Sequence, residues 1–150
     1  MKKIFAILFT FSLVFSFDAM YTKAFMAFKK GIKYESTNPQ KAQRYFQNAF
    51  VLLNEIKNDS SQKYYMLGRM YCNGWGVPQD LNKAEIYFKK ALKLGNQRVN
   101  CCLARLYIKK GELSKAKKYL KYALSHESLS FYCKDINPKT LKINNNIVIK

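Results

Sequence analysis

The chain is poor in residues that interrupt helices and in residues that most often carry catalysis. Its 150 residues include three prolines, six glycines and one histidine. So few helix breakers favour long regular elements over a loop-rich β-sandwich. A single histidine offers little help to a nucleophile. Paired carboxylates, a glycine-rich phosphate loop and a metal-ligand cluster are also missing. We therefore expect no catalytic residue, no metal and no cofactor.

Acidic residues are scarce as well. The sequence has nine acidic and 27 basic residues, which gives a formal net charge of +18. Such a balance is typical of proteins that bind nucleic acid or a membrane surface. However, 23 of the basic residues are lysines and only four are arginines, whereas reading of base edges relies on arginine. We favour a solvated basic surface and expect no nucleic-acid partner.

The N-terminal apolar run is too short to span a bilayer comfortably. It covers residues 4–14 and follows a pair of lysines, an arrangement typical of a secretory signal peptide. Val14 and Ser16 suit signal peptidase at positions −3 and −1. We therefore expect removal of residues 1–16, a periplasmic or secreted location, and no membrane span in the mature protein. The alternative is a first buried helix.

Export permits disulfides, because the compartment is oxidising. The mature chain has Cys72, Cys101, Cys102 and Cys133, which allow three connectivities. A bond between the adjacent Cys101 and Cys102 would distort a helix. We expect Cys72 and Cys133 to take one of these two each, in an order that the sequence leaves open. A zinc site is less favoured, since there is no C-x-x-C and His126 sits apart.

An internal repeat is the main signal in the sequence. The pattern K-A-x-x-Y-[FL]-x-x-A-[FL] occurs at residues 41–50, 83–92 and 115–124. Both alanines and the large apolar residue share one helix face, so a neighbouring helix can approach closely. A polar residue stands four positions before each first alanine, where a helix N-cap is expected: Asn38, Asp80 and Glu112.

Each of these helices has a partner upstream. The pattern L-[GA]-R-[ML]-Y covers residues 67–71 and 103–107, whereas residues 20–34 are apolar but fit it poorly. Because one helix pair cannot bury its own apolar face, the pairs are expected to stack. We predict an all-α fold, an α-solenoid of about three helix-turn-helix repeats, over residues 17–134. A basic tail rich in Asn and Lys, expected to be poorly ordered, follows at 135–150.

The second unit carries a family resemblance. Residues 67–91 read L-G-x-x-Y-x-x-G-x-G-V-x-x-D-x-x-K-A-x-x-Y-F-x-x-A, which resembles a Sel1-like repeat. The shorter turn at Gly111–Ala116 makes the third unit more similar to an ordinary tetratricopeptide repeat. The resemblance covers residues 20–126 and is weakest in the first unit. It implies a curved stack that binds proteins through a concave face lined by the first helix of each repeat.

On that implied face, the candidate ligand-binding residues flank the apolar stripe of the second and third units. Arg69 and Arg105 occupy equivalent repeat positions, where two guanidiniums could clamp a carboxylate or phosphate. The alternative is two solvated arginines. Trp75 either anchors its loop or is an exposed contact. The predicted site consists of Gln62, Tyr65, Arg69, Asn73, Arg98, Arg105 and Lys109; Cys101 also flanks the stripe but is expected to form a disulfide.

Three functions follow from these observations. The first is an exported scaffold that binds an acidic or extended protein segment in the bacterial cell envelope. The second, implied by resemblance to exported cysteine-rich Sel1-like proteins, is a penicillin-binding or β-lactamase-like enzyme. It has weak support, because the S-x-x-K matches at Ser60 and Ser114 occur at chance frequency and the cysteine pattern departs from that branch. The third is an envelope factor that binds anionic lipid or cell-wall polymer.

The signal-peptide hypothesis predicts the N-terminus of the mature protein. Protein recovered from the envelope or the medium should begin at Phe17, which intact-mass measurement would show. A full-length chain confined to the cytoplasm would contradict the predicted compartment.

Overall fold

The structure is a computed structural model that describes residues 19–141, and within this range it contains helices and no strand. The predicted all-α fold of helix-turn-helix repeats, of the α-solenoid class, is confirmed. The predicted signal peptide and residues 142–150 of the predicted tail lie outside the described residues. The α-helices are α1 (19–34), α2 (Pro39–Glu55), α3 (Ser61–Asn73), α4 (Leu81–Lys93), α5 (Val99–Lys109), α6 (Leu113–Leu124) and α7 (Glu127–Ser130), followed by 3-10 turns at Phe131–Cys133 and Pro138–Leu141.

Two of the three predicted N-caps close their helices. The side chain of Asn38 accepts a hydrogen bond from the third amide of α2 at 3.0 Å, and Pro39 takes the first helical position, where no N–H is needed. Asp80 accepts from two first-turn amides of α4, at 2.9 and 3.0 Å. Glu112 stands at the start of α6 without a side-chain cap, because its carboxylate instead pairs with two lysines.

The helices pair into three repeats, namely α1–α2, α3–α4 and α5–α6, and these lie in two compact units. Among the described residues, the first unit contains residues 19–59 together with the loop 75–78, and the second contains residues 60–74 and 79–141. Within the second unit, α3 packs on α4, α4 on α5, and α5 on α6, and the C-terminal turns pack on α6. Repeats 2 and 3 therefore bury their apolar faces against successive helices.

A glycine on the first helix of a repeat makes room for a phenylalanine on the second. A Cβ added to Gly31 would come 2.5 Å from the ring of Phe46, and one added to Gly68 would come 2.5 Å from the ring of Phe88. Both phenylalanines are buried. Interiors are close-packed, so such a clash cannot be absorbed without a shift. Repeats 1 and 2 therefore share one packing rule, although residues 19–34 fit the sequence pattern poorly.

Repeat 3 keeps the rule with different sizes. Ala104 and Leu120 occupy the positions of glycine and phenylalanine, and both are fully buried. The extra methyl group on the first helix is matched by a smaller side chain on the second. Volume-conserving exchanges of this kind are the ones that cores tolerate best.

The repeated K-A-x-x-Y motif builds a cation and aromatic cluster in every repeat. Its lysine and tyrosine lie one helical turn apart and reach the same tyrosine on the first helix, while the alanine between them faces the core. Each tyrosine pair is stacked, at centroid distances of 5.7, 5.6 and 5.5 Å. The lysine Nζ lies over the first-helix ring at 4.1, 5.3 and 5.3 Å. The clusters are Lys41–Tyr34–Tyr45, Lys83–Tyr71–Tyr87 and Lys115–Tyr107–Tyr119.

Trp75 is the anchor of the loop 75–78 in the first unit. Its ring stacks on Phe46 at 4.7 Å, meets Phe28 edge-on at 5.8 Å, and is 7% exposed. The indole N–H donates to Glu35 at 2.7 Å, so its polar end is satisfied as burial requires. Of the two interpretations of Trp75, the loop anchor is therefore correct.

Glu85 is the centre of a polar network between α4 and α5. Its carboxylate accepts hydrogen bonds from Tyr107 at 2.8 Å and from Lys89 and Lys110 at 2.7 Å each. Burial alone would raise the pKa of Glu85, but these hydrogen bonds outweigh it and lower the pKa to about 2. Burial and the hydrogen bond to Glu85 raise the pKa of Tyr107.

The packed region extends beyond residue 134, where we predicted the domain to end. Ile136 and Leu141 are buried, and Asp135 is bound by a side chain of α5. The first part of the predicted tail is therefore integrated into the second unit.

The glycine–phenylalanine rule predicts a compensating pair of substitutions. Gly68→Ala should lower the free energy of unfolding by about 2 kcal/mol through overpacking, despite the better helix propensity of alanine. Phe88→Leu alone should cost about 1 kcal/mol. The double variant copies Ala104 and Leu120 and should be more stable than Gly68→Ala. Urea unfolding measures all three; strictly additive losses would contradict the rule.

The Glu85 network predicts a defined acid sensitivity. A carboxylate whose folded pKa is depressed stabilises the fold above its unfolded pKa, near 4.5, and this contribution is lost as the pH falls toward about 2. Wild type should therefore lose stability more steeply than Glu85→Gln as the pH falls from 5 toward 2, measured by chemical denaturation. Parallel curves for the two proteins would contradict the assigned network.

Candidate functional site

The candidate site lies on α3 and α5, the first helices of repeats 2 and 3, both in the second unit. The structure brings Tyr65, Arg69 and Arg105 together. The guanidinium of Arg69 lies 5.7 Å from the ring centroid of Tyr65. Burial raises the pKa of the Tyr65 hydroxyl, and both arginines partly oppose this effect. Both arginines therefore act on the hydroxyl of Tyr65.

Arg105 already binds a carboxylate of its own chain. Its Nε donates to Asp135 at 2.7 Å, and its Nη2 donates to the second oxygen of the same carboxylate and to the carbonyl of Tyr132. This is the two-pronged geometry in which arginine holds carboxylates most strongly. Arg105 in turn holds the pKa of Asp135 below its usual value. The interpretation of Arg105 as a solvated side chain on an open face is wrong, because its guanidinium donates hydrogen bonds to the carboxylate of Asp135.

Two further residues, the N-cap of α5 and a residue in its first turn, hold the C-terminal segment, which we define as residues 132–135. Arg98 lies over the ring of Tyr132 at 4.9 Å, and Cys101 forms a disulfide with Cys133, with Cα atoms 5.2 Å apart. Residues 98, 101 and 105 are spaced by three and four and share one helix face. The stripe that we predicted to bind a ligand is therefore contacted by residues 132–135, although Arg98 stays exposed.

The other predicted residues have structural partners or lie apart. Lys109 donates from Nζ to the carbonyl of Cys72 and to the side chain of Asn73, at 3.1 Å each. A cation there satisfies carbonyls at the C-terminal end of α3. Gln62 is partly buried in the first turn of α3. The predicted set thus divides into the group around Tyr65, the stripe on α5, the Lys109–Asn73 pair, and Gln62.

The disulfide pattern confirms one expectation and corrects another. Cys133 bonds to one of the adjacent pair, as predicted, but Cys72 bonds to neither, so Cys72 and Cys102 are buried free thiols. Consecutive helical residues point about 100° apart, so Cys101 faces the C-terminal segment and Cys102 does not. Burial raises the pKa of Cys72 and raises that of Cys102 to about 11. Both side chains are therefore thiols at neutral pH.

The S-x-x-K match at Ser60 has a structural role. The Ser60 hydroxyl is the N-cap of α3 and accepts a hydrogen bond from the amide of Lys63 at 3.1 Å. Within residues 19–141, no group of three His, Cys, Asp or Glu side chains is placed to hold a metal ion. In the same range, no helix has the length and apolar character that a membrane crossing requires.

Sequence reasoning missed the residues that complete the stripe on α5. Asp135 and Tyr132 lie beyond the last recognisable repeat, and their partners Arg105 and Arg98 are about thirty residues away in the sequence. A usable signal was present, because Asp135 is the only acidic residue after Glu127 in a strongly basic chain.

Comparison with protein families supports the repeat assignment. The family model described as Sel1 repeat matches residues 18–50 and 64–96, which correspond to repeats 1 and 2. Its match to repeat 1 agrees with the shared glycine–phenylalanine packing there. Searches of curated proteins and of solved structures gave no match.

The cysteine geometry predicts the thiol chemistry of the oxidised protein. A thiol reagent should leave the native protein unmodified and should label two residues, Cys72 and Cys102, after unfolding without reductant. The reason is that buried thiols of raised pKa are poor nucleophiles. Non-reducing peptide mapping should join Cys101 to Cys133. Rapid labelling of the native protein, or a Cys72–Cys102 linkage, would contradict this arrangement.

Proposed function

We propose that this chain, a member of the Sel1-like repeat family, is an exported scaffold. Its proposed role is to bind protein segments in the bacterial cell envelope. Sel1 repeats are generally protein-interaction scaffolds. The envelope location is inferred from residues 1–16, which have the composition of a signal peptide. The proposed partner is an acidic or extended protein segment, and the proposed surface is the face of α3 and α5.

The observation that carries this proposal is the Arg105–Asp135 pair. In this pair the guanidinium of Arg105 donates to both oxygens of a carboxylate from its own chain, which supports binding of a carboxylate from a partner at the same surface. Arg69 supplies a second guanidinium, 5.7 Å from the ring centroid of Tyr65. Tyrosine and arginine are, with tryptophan, the side chains enriched among the residues that dominate binding energy at protein interfaces. A net charge of +18 adds long-range attraction for acidic partners.

Arg69 is the better residue for testing this surface. Replacement of Arg105 would release Asp135 and Tyr132, so a loss of binding could reflect a loosened C-terminal segment. We therefore choose Arg69→Glu, with Arg44→Glu as the matched control. Arg44 is exposed on α2 in the first unit, and both variants change the net charge equally.

The experiment is chemical crosslinking in intact cells followed by purification and mass spectrometry. Arg69→Glu should lose a protein partner that both wild type and Arg44→Glu capture, with unchanged melting temperatures. Capture by wild type should weaken as salt rises, since screening acts on exposed charges. If all three proteins captured the partner equally, the partner would not bind at the face of α3 and α5.

Two other outcomes would replace the proposal. Salt-sensitive sedimentation with envelope fractions, without any captured protein, would indicate an anionic lipid or cell-wall polymer as the ligand. Hydrolysis of a chromogenic cephalosporin by the pure protein, abolished by Ser60→Ala or Ser114→Ala, would indicate the enzyme instead.

A further inference from the structure

The C-terminal segment meets α5 at three points along one face. Tyr132 lies against Arg98, Cys133 is bonded to Cys101, and Asp135 is held by Arg105. The aromatic ring and the carboxylate are three residues apart, and their cationic partners are seven residues apart, two helical turns. A short turn of the C-terminal segment therefore places its ring and its carboxylate opposite two cations that are two helical turns apart.

This contact has the features of a bound ligand more than those of a core. The side chain of Asp135 is 63% exposed although both of its oxygens are bound. Phe131 and Lys134 are exposed as well. Between residues 131 and 135 only Cys133 is buried, so polar contacts and one covalent bond hold this stretch in place.

We propose that residues 132–135 are an internal ligand, and that the site formed by Arg98 and Arg105 takes from a partner protein an aromatic residue followed three positions later by Asp or Glu. This inference rests on the proposed binding function and narrows its partner to one chemical pattern. The aromatic ring occupies the place of Tyr132 against Arg98, and the carboxylate replaces that of Asp135 on Arg105.

The disulfide sets how strongly the internal segment competes. A covalent tie between residues 101 and 133 gives the segment a high effective concentration at the site. A dithiol can open it by giving two electrons and two protons: the Sγ–Sγ bond breaks, Cys101 and Cys133 become thiols, and the dithiol becomes a disulfide. An external segment should therefore bind the reduced protein more tightly than the oxidised one.

The test uses a fluorescent peptide of residues 129–137 with serine in place of Cys133, and a control peptide that also carries Asp135→Asn. Binding is measured by anisotropy to oxidised wild type and to the Asp135→Asn protein, which keeps its disulfide but lacks the internal carboxylate. The acidic peptide should bind the variant about tenfold more tightly than wild type, the worth of one charge-assisted bidentate pair. The control peptide should show no such preference, and adding Arg105→Gln to the variant should abolish it.

A second measurement on wild type tests the same inference in case the Asp135→Asn protein does not fold. In wild type treated with dithiothreitol, the acidic peptide should speed amide hydrogen exchange of residues 131–136 at least severalfold while α5 stays protected, because the peptide displaces the segment. Equal binding of both peptides, or unchanged exchange in the reduced protein, would overturn the inference. Such a failure is distinguishable from failure of the proposed function, because whole partner proteins captured through Arg69 would remain.

Discussion

The close approach of the two helices within each repeat is the constraint on which the structure depends. A phenylalanine of the second helix sits where the first helix has no Cβ, at Gly31 and Gly68. The stacked tyrosine pairs meet at centroid distances of 5.5 to 5.7 Å in all three repeats, including repeat 3, where Ala104 and Leu120 take the places of the glycine and the phenylalanine. The lysine of each motif then lies over a ring. A single small residue thus decides the geometry of a whole repeat.

The same geometry positions the candidate site. Stacking of α4 against α5, through the network around Glu85, fixes which face of α5 is left for other contacts. That face carries Arg98, Cys101 and Arg105 in one stripe, and the chain returns after α6 to cover it. After α6 the C-terminal segment packs on the third repeat and is tied to α5 by a disulfide and an ion pair. The ion pair between Arg105 and Asp135 also shows which chemical group the site can hold, a carboxylate.

Local features were predictable from the sequence, because periodicity and caps are short-range. The repeat motif predicted the second helix of each repeat, and Asn38 and Asp80 predicted where α2 and α4 begin. Equivalence of repeat positions also placed Arg69 and Arg105 together. The first helix of repeat 1 is hard to recognise from the sequence, because its glycine and tyrosine occur without the leucine and arginine of the pattern.

Long-range pairing was not predictable in the same way. Nothing in the spacing identifies Asp135 as the partner of Arg105, or selects Cys101 over Cys102 for Cys133. These choices depend on which helix face the returning chain meets, and that is set by tertiary packing. Trp75 was ambiguous for the same reason, because its partners, Phe28 and Phe46, lie in a different repeat from its own loop.

Arg105 on α5 is a carboxylate-binding side chain that Asp135 occupies. Proton–nitrogen NMR of the arginine side chains tests it most directly. In the oxidised protein the Nε–H of Arg105 should give a downfield signal with slow solvent exchange, and this signal should move upfield and exchange faster in Asp135→Asn while that of Arg44 is unchanged. A spectrum in which the Arg105 signal is the same in both proteins would contradict the account.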